Sequence, residues 1–190
     1  MNRAMKETWG WVKAIVIAVI IALVIRNFVF SNYIVRGDSM RSTLQNGNRL
    51  IVNMLDYRFS SPHRFDVIVF HATPTEDYVK RIIGLPGDTI RYSHDQLYVN
   101  GKKVAEPYLQ KNKAKMPTGV DLTQSFSLHS LTGSYRVPKG KLWVMGDNRR
   151  NSEDSRYFGF VDESKVVGKV SLRYWPFDEF GSIPFVFLNR

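Results

Sequence analysis

The chain has 190 residues, 44% of them hydrophobic and 23% charged, which is typical of a folded protein and excludes a disordered or low-complexity chain. It contains no cysteine, so disulfides, thiol catalysis and cysteine-ligated metal sites are excluded. Its histidines lie too far apart for a local metal motif, and we expect no metal and no cofactor. The net charge of +10 favours an anionic partner, either nucleic acid or a membrane surface.

The N-terminal region favours the membrane over nucleic acid. Residues 14–25 (AIVIAVIIALVI) form an unbroken apolar run, flanked by tryptophans at positions 9 and 11 and by aromatic residues after it. Counted from Trp9 to Phe30, the stretch is long enough to cross a bilayer of ~30 Å as a helix. Lys13 and Arg26 lie where long side chains reach the headgroups. We therefore predict that residues 1–31 comprise a cytoplasmic tail and a single transmembrane anchor.

Two other interpretations of this run are a buried core helix and a cleaved signal peptide. A core helix is disfavoured because the run is apolar on all sides. Cleavage is disfavoured because Ile25 is followed by RNFVFSNYIVRG, which contains no A-x-A-like site. Arg3, Lys6 and Lys13 favour a cytoplasmic N-terminus, and a long C-terminal domain translocates largely regardless of its charges. We expect a single-pass protein of the cell membrane, with residues 32–190 on the extracytoplasmic side.

Beyond residue 31 the sequence predicts β structure. Runs rich in Val, Ile, Phe and Tyr alternate with turn residues, and no segment shows a helical period. Asn100-Gly101 between two short β runs is a strong hairpin pattern. The expected fold class is mainly β, an all-β antiparallel barrel or sandwich-like domain behind the anchor. The predicted strands are Tyr33–Arg36, Arg49–Asn53, Asp66–Phe70, Tyr78–Ile83, Thr89–Tyr92, Leu97–Val99, Leu142–Met145 and Val166–Tyr174.

The stretch from 107 to 133 is more polar than the rest of this domain and includes KNKAK at 111–115. It predicts an insertion or a lid-like loop. We expect its lysines to be solvated or to contact anionic lipid.

Three segments carry residue types that suggest chemistry. Residues 37–40 (GDSM) follow the anchor, residues 78–88 (YVKRIIGLPGD) place a lysine in an apolar strand, and residues 146–156 (GDNRRNSEDSR) form a polar loop after an apolar strand. Each alone has a plain structural explanation: a serine in a turn, a lysine on a solvated face, or a mixed-charge loop. Their order after an N-terminal span is more specific than any one of them.

Together the segments resemble the type I signal peptidases of bacteria, membrane-anchored serine proteases with a Ser–Lys dyad. The resemblance extends from the anchor to Val170. Residues 80–88 match the family's K-R-x-x-G-L-P-G-D element, and residues 146–156 match its G-D-N-R-x-x-S-x-D-S-R element. Residues 39–43 match S-M-x-P-T except at one position, where Ser42 replaces the proline. The single span and short chain look like the compact form of Gram-positive bacteria.

The resemblance implies a role for each matched residue. Ser39 would be the nucleophile, Lys80 the general base, and Ser152 a hydrogen-bond partner that orients the lysine amine. Supporting ion pairs would hold the third segment against the dyad, formed by Asp154, Arg156, Arg81 and Asp147.

Two positions depart from the family pattern. Ser42 lacks the fixed φ of a proline and would leave the turn looser. Gly37 stands where some relatives carry a serine that donates to the oxyanion. This chain must then use backbone N–H groups or another donor, and the N–H of Ser39 is the expected one.

The chemistry also requires a neutral lysine. A free lysine has a pKa near ~10.4 and is protonated at neutral pH, whereas burial lowers that pKa. Side chains alternate along a strand, so Lys80 shares a face with Tyr78 and Ile82 while Arg81 points the other way. The sequence therefore predicts a desolvated Lys80 and an Arg81 that pairs elsewhere, with an acidic residue of the third segment.

The resemblance also implies the substrate: signal peptides of preproteins emerging from the export machinery, cut after small residues at −1 and −3. Ser39 lies nine residues after Phe30, so the site is expected close to membrane lipid. An extended peptide would pair with a strand edge beside Ser39, and shallow pockets would reject large side chains. We expect no nucleic-acid partner, because the basic residues form no motif interleaved with aromatic ones.

Three alternatives remain at this point. A Ser–His–Asp hydrolase would use a histidine such as His71. A self-cleaving repressor shares the Ser–Lys chemistry but needs a helix-turn-helix domain that residues 1–30 cannot supply. A catalytically impaired, membrane-anchored accessory or binding homologue has the Ser42 departure as its only support.

Overall fold

The computed structural model describes residues 3–183, except for the side chains of residues 3–8, 22–28 and 58. The last seven residues of the expected 32–190 domain therefore lie outside the described part. So do the side chains of residues 22–28, which belong to the predicted span.

The N-terminal region forms one long helix, α1 (Arg3–Phe28). Every side chain from residue 9 to residue 21 is exposed, so the β domain covers no face of this stretch. A search of the described residues finds no helix of the length and apolarity needed to cross a bilayer.

The remainder is β structure with short helices. The helices after α1 are α2 (Asp56–Phe59), α3 (Gln110–Lys113), α4 (Leu128–Thr132) and α5 (Ser155–Phe158), with 3-10 turns at Pro107–Leu109, Glu163–Lys165 and Phe177–Glu179. The strands are β1 (Phe30–Ile34), β2 (Arg49–Asn53), β3 (Val67–His71), β4 (Asp77–Gly84), β5 (Ile90–Ser93), β6 (Gln96–Val99), β7 (Lys102–Val104), β8 (Phe126–Ser127), β9 (Lys141–Met145), β10 (Val161–Asp162), β11 (Val166–Trp175) and β12 (Gly181–Ser182).

The strands form two antiparallel sheets, which confirms the mainly β prediction. The larger sheet has the order β1-β2-β11-β3-β4-β9-β10, with β12 paired to β11, and the smaller has the order β7-β6-β5-β8. The larger sheet curls on itself. The hydroxyl of Tyr33 on β1 donates to Asp77 on β4 over 2.9 Å, although three strands separate β1 from β4 in the sheet order. The curl leaves a cleft between β1 and β4.

The sequence patterns located most strands within a few residues. Arg49–Asn53 was predicted with its observed bounds, whereas β1 begins at Phe30 and not at Tyr33 because its pairing with β2 starts at Phe30 opposite Asn53. Asn100 and Gly101 both have positive φ values, 51° and 77°, as the predicted tight hairpin requires. The two-residue strands β8, β10 and β12 are too short to show an alternation.

The polar segment 107–133 packs against the rest of the domain and is not a free loop. It contains α3, α4 and β8, and β8 pairs with β5 of the smaller sheet. Its Leu109, Leu122 and Leu128 are buried.

Apolar side chains form separate clusters on the two faces of the larger sheet and between the sheets. Inside the curl, residues such as Leu50, Val52 and Val69 pack with Met40 and Leu44 from the loop after β1. On the outer face of β3 and β4, Ile68 and Phe70 pack with residues of β9. A third cluster joins the smaller sheet to β4 and β9 through residues such as Trp143.

A buried polar network that sequence reasoning missed joins the smaller sheet to the third segment. Arg149 and Glu106 form an ion pair at 2.6 Å, with their side chains 0% and 2% exposed. The hydroxyls of Tyr92 and Tyr108 donate to the same Glu106 oxygen, each over 2.7 Å. Arg149 also donates to the carbonyl of Gly146 at 3.1 Å.

We predict that Glu106→Ala strongly destabilises the protein. The substitution leaves the Arg149 guanidinium buried without its carboxylate, which costs about 3–5 kcal/mol. A matched control is Asp162→Ala, which removes a surface ion pair to Lys141 that is exposed by more than a third on both sides. Chemical denaturation should show a large loss of unfolding free energy for Glu106→Ala alone; equal stability of both variants would contradict the role of this network.

Candidate active site

Ser39 lies in the loop that connects β1 to β2. Met40, 1% exposed, and Leu44, fully buried, anchor this loop in the interior of the curled sheet. The N–H groups of Thr43 and Leu44 both donate to the carbonyl of Met40, over 2.8 and 2.9 Å. Gly37 has φ +84°, which favours glycine, and its N–H donates to the side chain of Asn46. The serine is thus presented by a turn fixed on both sides.

The turn is held without the proline that the family pattern contains. The Arg41–Ser42 peptide bond is cis. Next to it, the hydroxyl of Thr43 donates to the Asp147 carboxylate, and Asn112 donates its amide N–H to the carbonyl of Arg41 over 2.9 Å. These two hydrogen bonds hold the turn at the position where Ser42 was expected to loosen it.

Lys80 contacts Ser39 directly. Its Nζ donates to Ser39 Oγ over 2.7 Å. The lysine is 4% exposed and lies on β4 opposite Ile68 of β3. Burial lowers the pKa of Lys80 from 10.5 to about 8, although the nearby carboxylates of Asp154 and Glu153 act to raise it. Burial is the larger effect, so a substantial fraction of the amine is neutral at mildly alkaline pH.

The neighbouring Arg81 points to the opposite face of β4. It forms a two-point ion pair with Asp147 of the third segment, over 2.9 and 2.7 Å, and both side chains are 0% exposed. Its guanidinium also donates to the carbonyl of Phe65 and lies 4.0 Å from the centre of the Tyr108 ring. Asp147 in turn accepts the hydroxyl of Thr43, so the ion pair buttresses the serine loop from behind.

The backbone of the third segment packs against the serine loop. The N–H of Asn148 donates to the carbonyl of Ser39 over 2.9 Å, and its side-chain amide donates to the carbonyl of Asp38 over 3.1 Å. A Cβ on Gly146 would collide with the Ser39 carbonyl oxygen and with Ser152 Oγ. Only glycine therefore fits at position 146 without a shift of the catalytic loop.

Asp154 and Arg156 hold the other end of this segment. Asp154 accepts two hydrogen bonds from the Arg156 guanidinium, each over 2.8 Å, and caps the start of α5. The same carboxylate accepts the N–H of Gly146 over 3.0 Å. The pair is thus linked to Ser39 through Gly146.

Ser152 differs from its expected role. The resemblance implied a hydrogen bond to the Lys80 amine, whereas Ser152 Oγ is buried without a hydrogen-bond partner among the described residues. Its Oγ lies close against Gly146, and the Lys80 amine donates to Ser39. Ser152 therefore lies beside Gly146 and makes no hydrogen bond to the lysine amine in this structure, so its orienting role stays a prediction.

Two contributors went unassigned at the sequence level. Asn148 lies within the recognised third segment, yet nothing in the pattern marks it as a link to Ser39. Asn112 donates to the carbonyls of Arg41 and Asp147 from a lysine-rich stretch that was expected to be solvated. A polar residue in a polar stretch carries no pattern that would reveal such contacts.

The dyad opens into a cleft of about 330 Å³ between the curled strands. One wall is formed by Tyr33–Met40 and the other by Asp77–Lys80, with Glu153 at the edge. His71 is exposed and pairs with Asp77 at 2.6 Å, so the residue hydrogen-bonded to Ser39 is a lysine and not a histidine. Among the side chains that the structure describes, no three potential metal ligands lie together.

The chain is similar to a described family and to several known proteins. The family described as signal peptidase, peptidase S26, matches residues 8–175. The chain is 56% identical over 172 residues to signal peptidase I of Bacillus caldolyticus. The aligned region covers 90% of this chain and 92% of that protein. It is 45% identical over 179 residues to signal peptidase IB of Staphylococcus aureus, covering 92% and 93%.

Among solved structures, the crystal structure of a signal peptidase I from Enterococcus faecalis V583 matches with a TM-score of 0.57 and 43% identity. The match covers 59% of this chain and 98% of that one. From the extent of the family match and the identity to these relatives, the chain belongs to the signal peptidase family, peptidase S26.

Proposed function

We propose that this protein is a membrane-anchored serine endopeptidase that removes N-terminal signal peptides from exported preproteins, with Ser39 as nucleophile and Lys80 as general base. The observation that carries the proposal is the 2.7 Å contact between Ser39 Oγ and a buried Lys80 amine whose pKa is lowered to about 8. A serine hydroxyl needs a base within hydrogen-bond reach, and a lysine serves only when it is neutral.

The first half of the reaction forms an acyl-enzyme. Neutral Lys80 takes the proton of Ser39 as Oγ attacks the carbonyl carbon of the cut peptide bond. The N–H of Ser39 donates to the oxyanion of the tetrahedral intermediate. The protonated Lys80 then gives its proton to the leaving amine, so the C–N bond breaks and the mature chain departs.

The second half releases the signal peptide. Lys80, neutral again, removes a proton from a water molecule that attacks the ester carbonyl. The Lys80 ammonium returns that proton to Ser39 Oγ as the ester bond breaks, and the free serine is restored. Arg81, Asp147, Asp154 and Arg156 hold the loops in place throughout.

The cleft supports a preference for small side chains next to the cut. Its walls include Val35, Met40 and Val79, so apolar side chains line part of the space beside the dyad. Together with the family resemblance, this supports cleavage after small residues at −1 and −3.

We place the protein in the cell membrane, with α1 as its anchor, its N-terminus in the cytoplasm and the β domain outside. The support is the apolar run 14–25, the flanking Lys13 and Arg26, and the exposure of apolar side chains along α1 such as Ile15, which is 60% exposed. Because β1 follows α1 directly, the dyad would lie close to the lipid surface and to the export machinery that delivers the substrate.

We expect Ser39→Ala and Lys80→Ala each to lower kcat/KM by about 10³-fold or more, and the double variant to be no worse than either, since the two groups act as a unit. Ser152→Ala should cost less, because its hydroxyl makes no hydrogen bond to the dyad. The measurement is cleavage of a preprotein in vitro, with the cut position read by mass spectrometry. Additive losses would contradict the assignment of Ser39 and Lys80 as a dyad. An inactive wild type would favour a catalytically impaired homologue.

The pH profile should reveal the base. Since the neutral fraction of Lys80 grows as pH rises through its pKa, kcat/KM is expected to increase between pH 6 and 9 with a midpoint near 8. His71→Gln serves as the control and should leave the profile unchanged. A profile that is flat over this range, or one that moves on replacing His71, would exclude the lysine as the titrating base.

Gly146→Ala should lower activity by about 10²-fold, because the new Cβ displaces the Ser39 carbonyl and with it the nucleophile. Gly181→Ala is the matched control, since a Cβ there meets nothing within 4 Å. Kinetics and thermal denaturation are measured on both variants. Unaltered kcat/KM in Gly146→Ala would show that the third segment does not position Ser39.

The anchor can be tested with a truncated chain that begins at Val29, which keeps the whole of β1. The truncation should fold and retain its cleavage specificity, yet cut membrane-bound substrate more slowly, because tethering raises the effective concentration of the enzyme at the membrane. Turnover of preprotein in vesicles and of a short soluble peptide are compared. Equal rates for full-length and truncated protein on both substrates would contradict the role of α1.

A further inference from the structure

A second cavity, of about 230 Å³, adjoins the catalytic cleft on the outer face of β4. Tyr78 and Glu153 line both spaces. Its apolar lining is largely aromatic and comes from β3, α5 and the segment up to β10: Phe70, Ala72, Phe158, Phe160 and Val161. None of the proposed catalytic steps takes place in this cavity.

The ring of Tyr78 separates the cavity from the catalytic base. On one side, the Lys80 amine lies 5.2 Å from the centre of that ring. On the other, the rings of Phe70 and Phe158 lie 6.2 and 6.4 Å from it, centre to centre. The cavity therefore begins about one aromatic ring beyond the amine.

The path of the leaving chain follows from proton transfer. Lys80 must hand its proton to the leaving nitrogen, so the first residue after the cut begins beside Nζ. An extended chain advances about 3.3 Å per residue. A chain that continues from Nζ toward Tyr78 places the side chain of its second residue past that ring.

We propose that this cavity binds the side chain of the second residue after the cut, here called the +2 residue, and that it selects a large apolar or aromatic side chain. The inference rests on the proposed peptidase function. An aromatic side chain inserted here would meet the rings of Phe70, Tyr78 and Phe158, which favour edge-to-face or offset contacts. The polar lining residues Glu153 and Lys165 remain available to the peptide backbone.

The test uses the full-length protein in phospholipid vesicles and three peptides that share one A-x-A cleavage site. One carries alanine at +2, one phenylalanine at +2, and one phenylalanine at +4 with alanine at +2. The expected result is a kcat/KM about tenfold higher with phenylalanine at +2, and no gain from phenylalanine at +4. Equal rates for all three peptides, or a gain from +4 alone, would overturn the proposal.

Ala72→Phe fills the cavity and should remove the +2 preference while leaving cleavage of the alanine peptide unchanged. The matched control is Ala105→Phe, which places the same side chain at an exposed position beyond β7. If Ala72→Phe does not fold, Phe158→Ala, which removes one wall, should also weaken the preference. A preference that survives loss or filling of the cavity would refute the assignment.

Binding separates this proposal from the peptidase function itself. The affinity of Ser39→Ala for the same peptides should follow the same order at +2 even though none is cut. If wild type cleaves no peptide, the peptidase function fails; if affinity is independent of the +2 residue, the cavity assignment fails.

Discussion

The burial of the Lys80 amine beside Ser39 is the constraint on which the rest of the site depends. Keeping a lysine with a pKa of about 8 in place of 10.5 destabilises the folded state by about 3 kcal/mol, because the charged form that the unfolded chain prefers is disfavoured. The penalty is full below pH 8 and disappears between pH 8 and 10.5, as the unfolded chain also loses the proton. Interactions elsewhere must offset it.

Two buried ion pairs hold the segments around the site. Arg81 with Asp147 lies behind the serine loop, and Arg149 with Glu106 joins the smaller sheet to the third segment. In each pair the guanidinium donates to its own carboxylate and to further oxygens nearby. Each guanidinium charge is therefore balanced by the carboxylate of its own partner. The serine loop and the third segment, distant in sequence, are fixed to each other through Asp147, Asn148 and Gly146.

Local rules predicted much of the fold, whereas the dyad was predicted from the family resemblance. Alternation along β4 placed Lys80 and Arg81 on opposite faces, and the Asn100-Gly101 turn was identified from its two residues alone. The Arg149–Glu106 pair could not be predicted, since it joins residues far apart in sequence and depends on how the two sheets pack. The contacts of Asn112 and the unpaired hydroxyl of Ser152 depend on the same packing, where ångström-scale placement decides whether a bond forms.

The proposed chemistry requires a neutral Lys80 amine, and the protonation state of that amine can be observed directly. Heteronuclear NMR of selectively labelled lysine, titrated from pH 6 to 11 in wild type and in Lys80→Arg to assign the resonance, reports the pKa of Lys80 itself. The Lys80 resonance is expected to titrate near pH 8. A Lys80 resonance that titrates near the ordinary lysine pKa of about 10.4 would show that burial does not neutralise the amine, and it would contradict the proposed base.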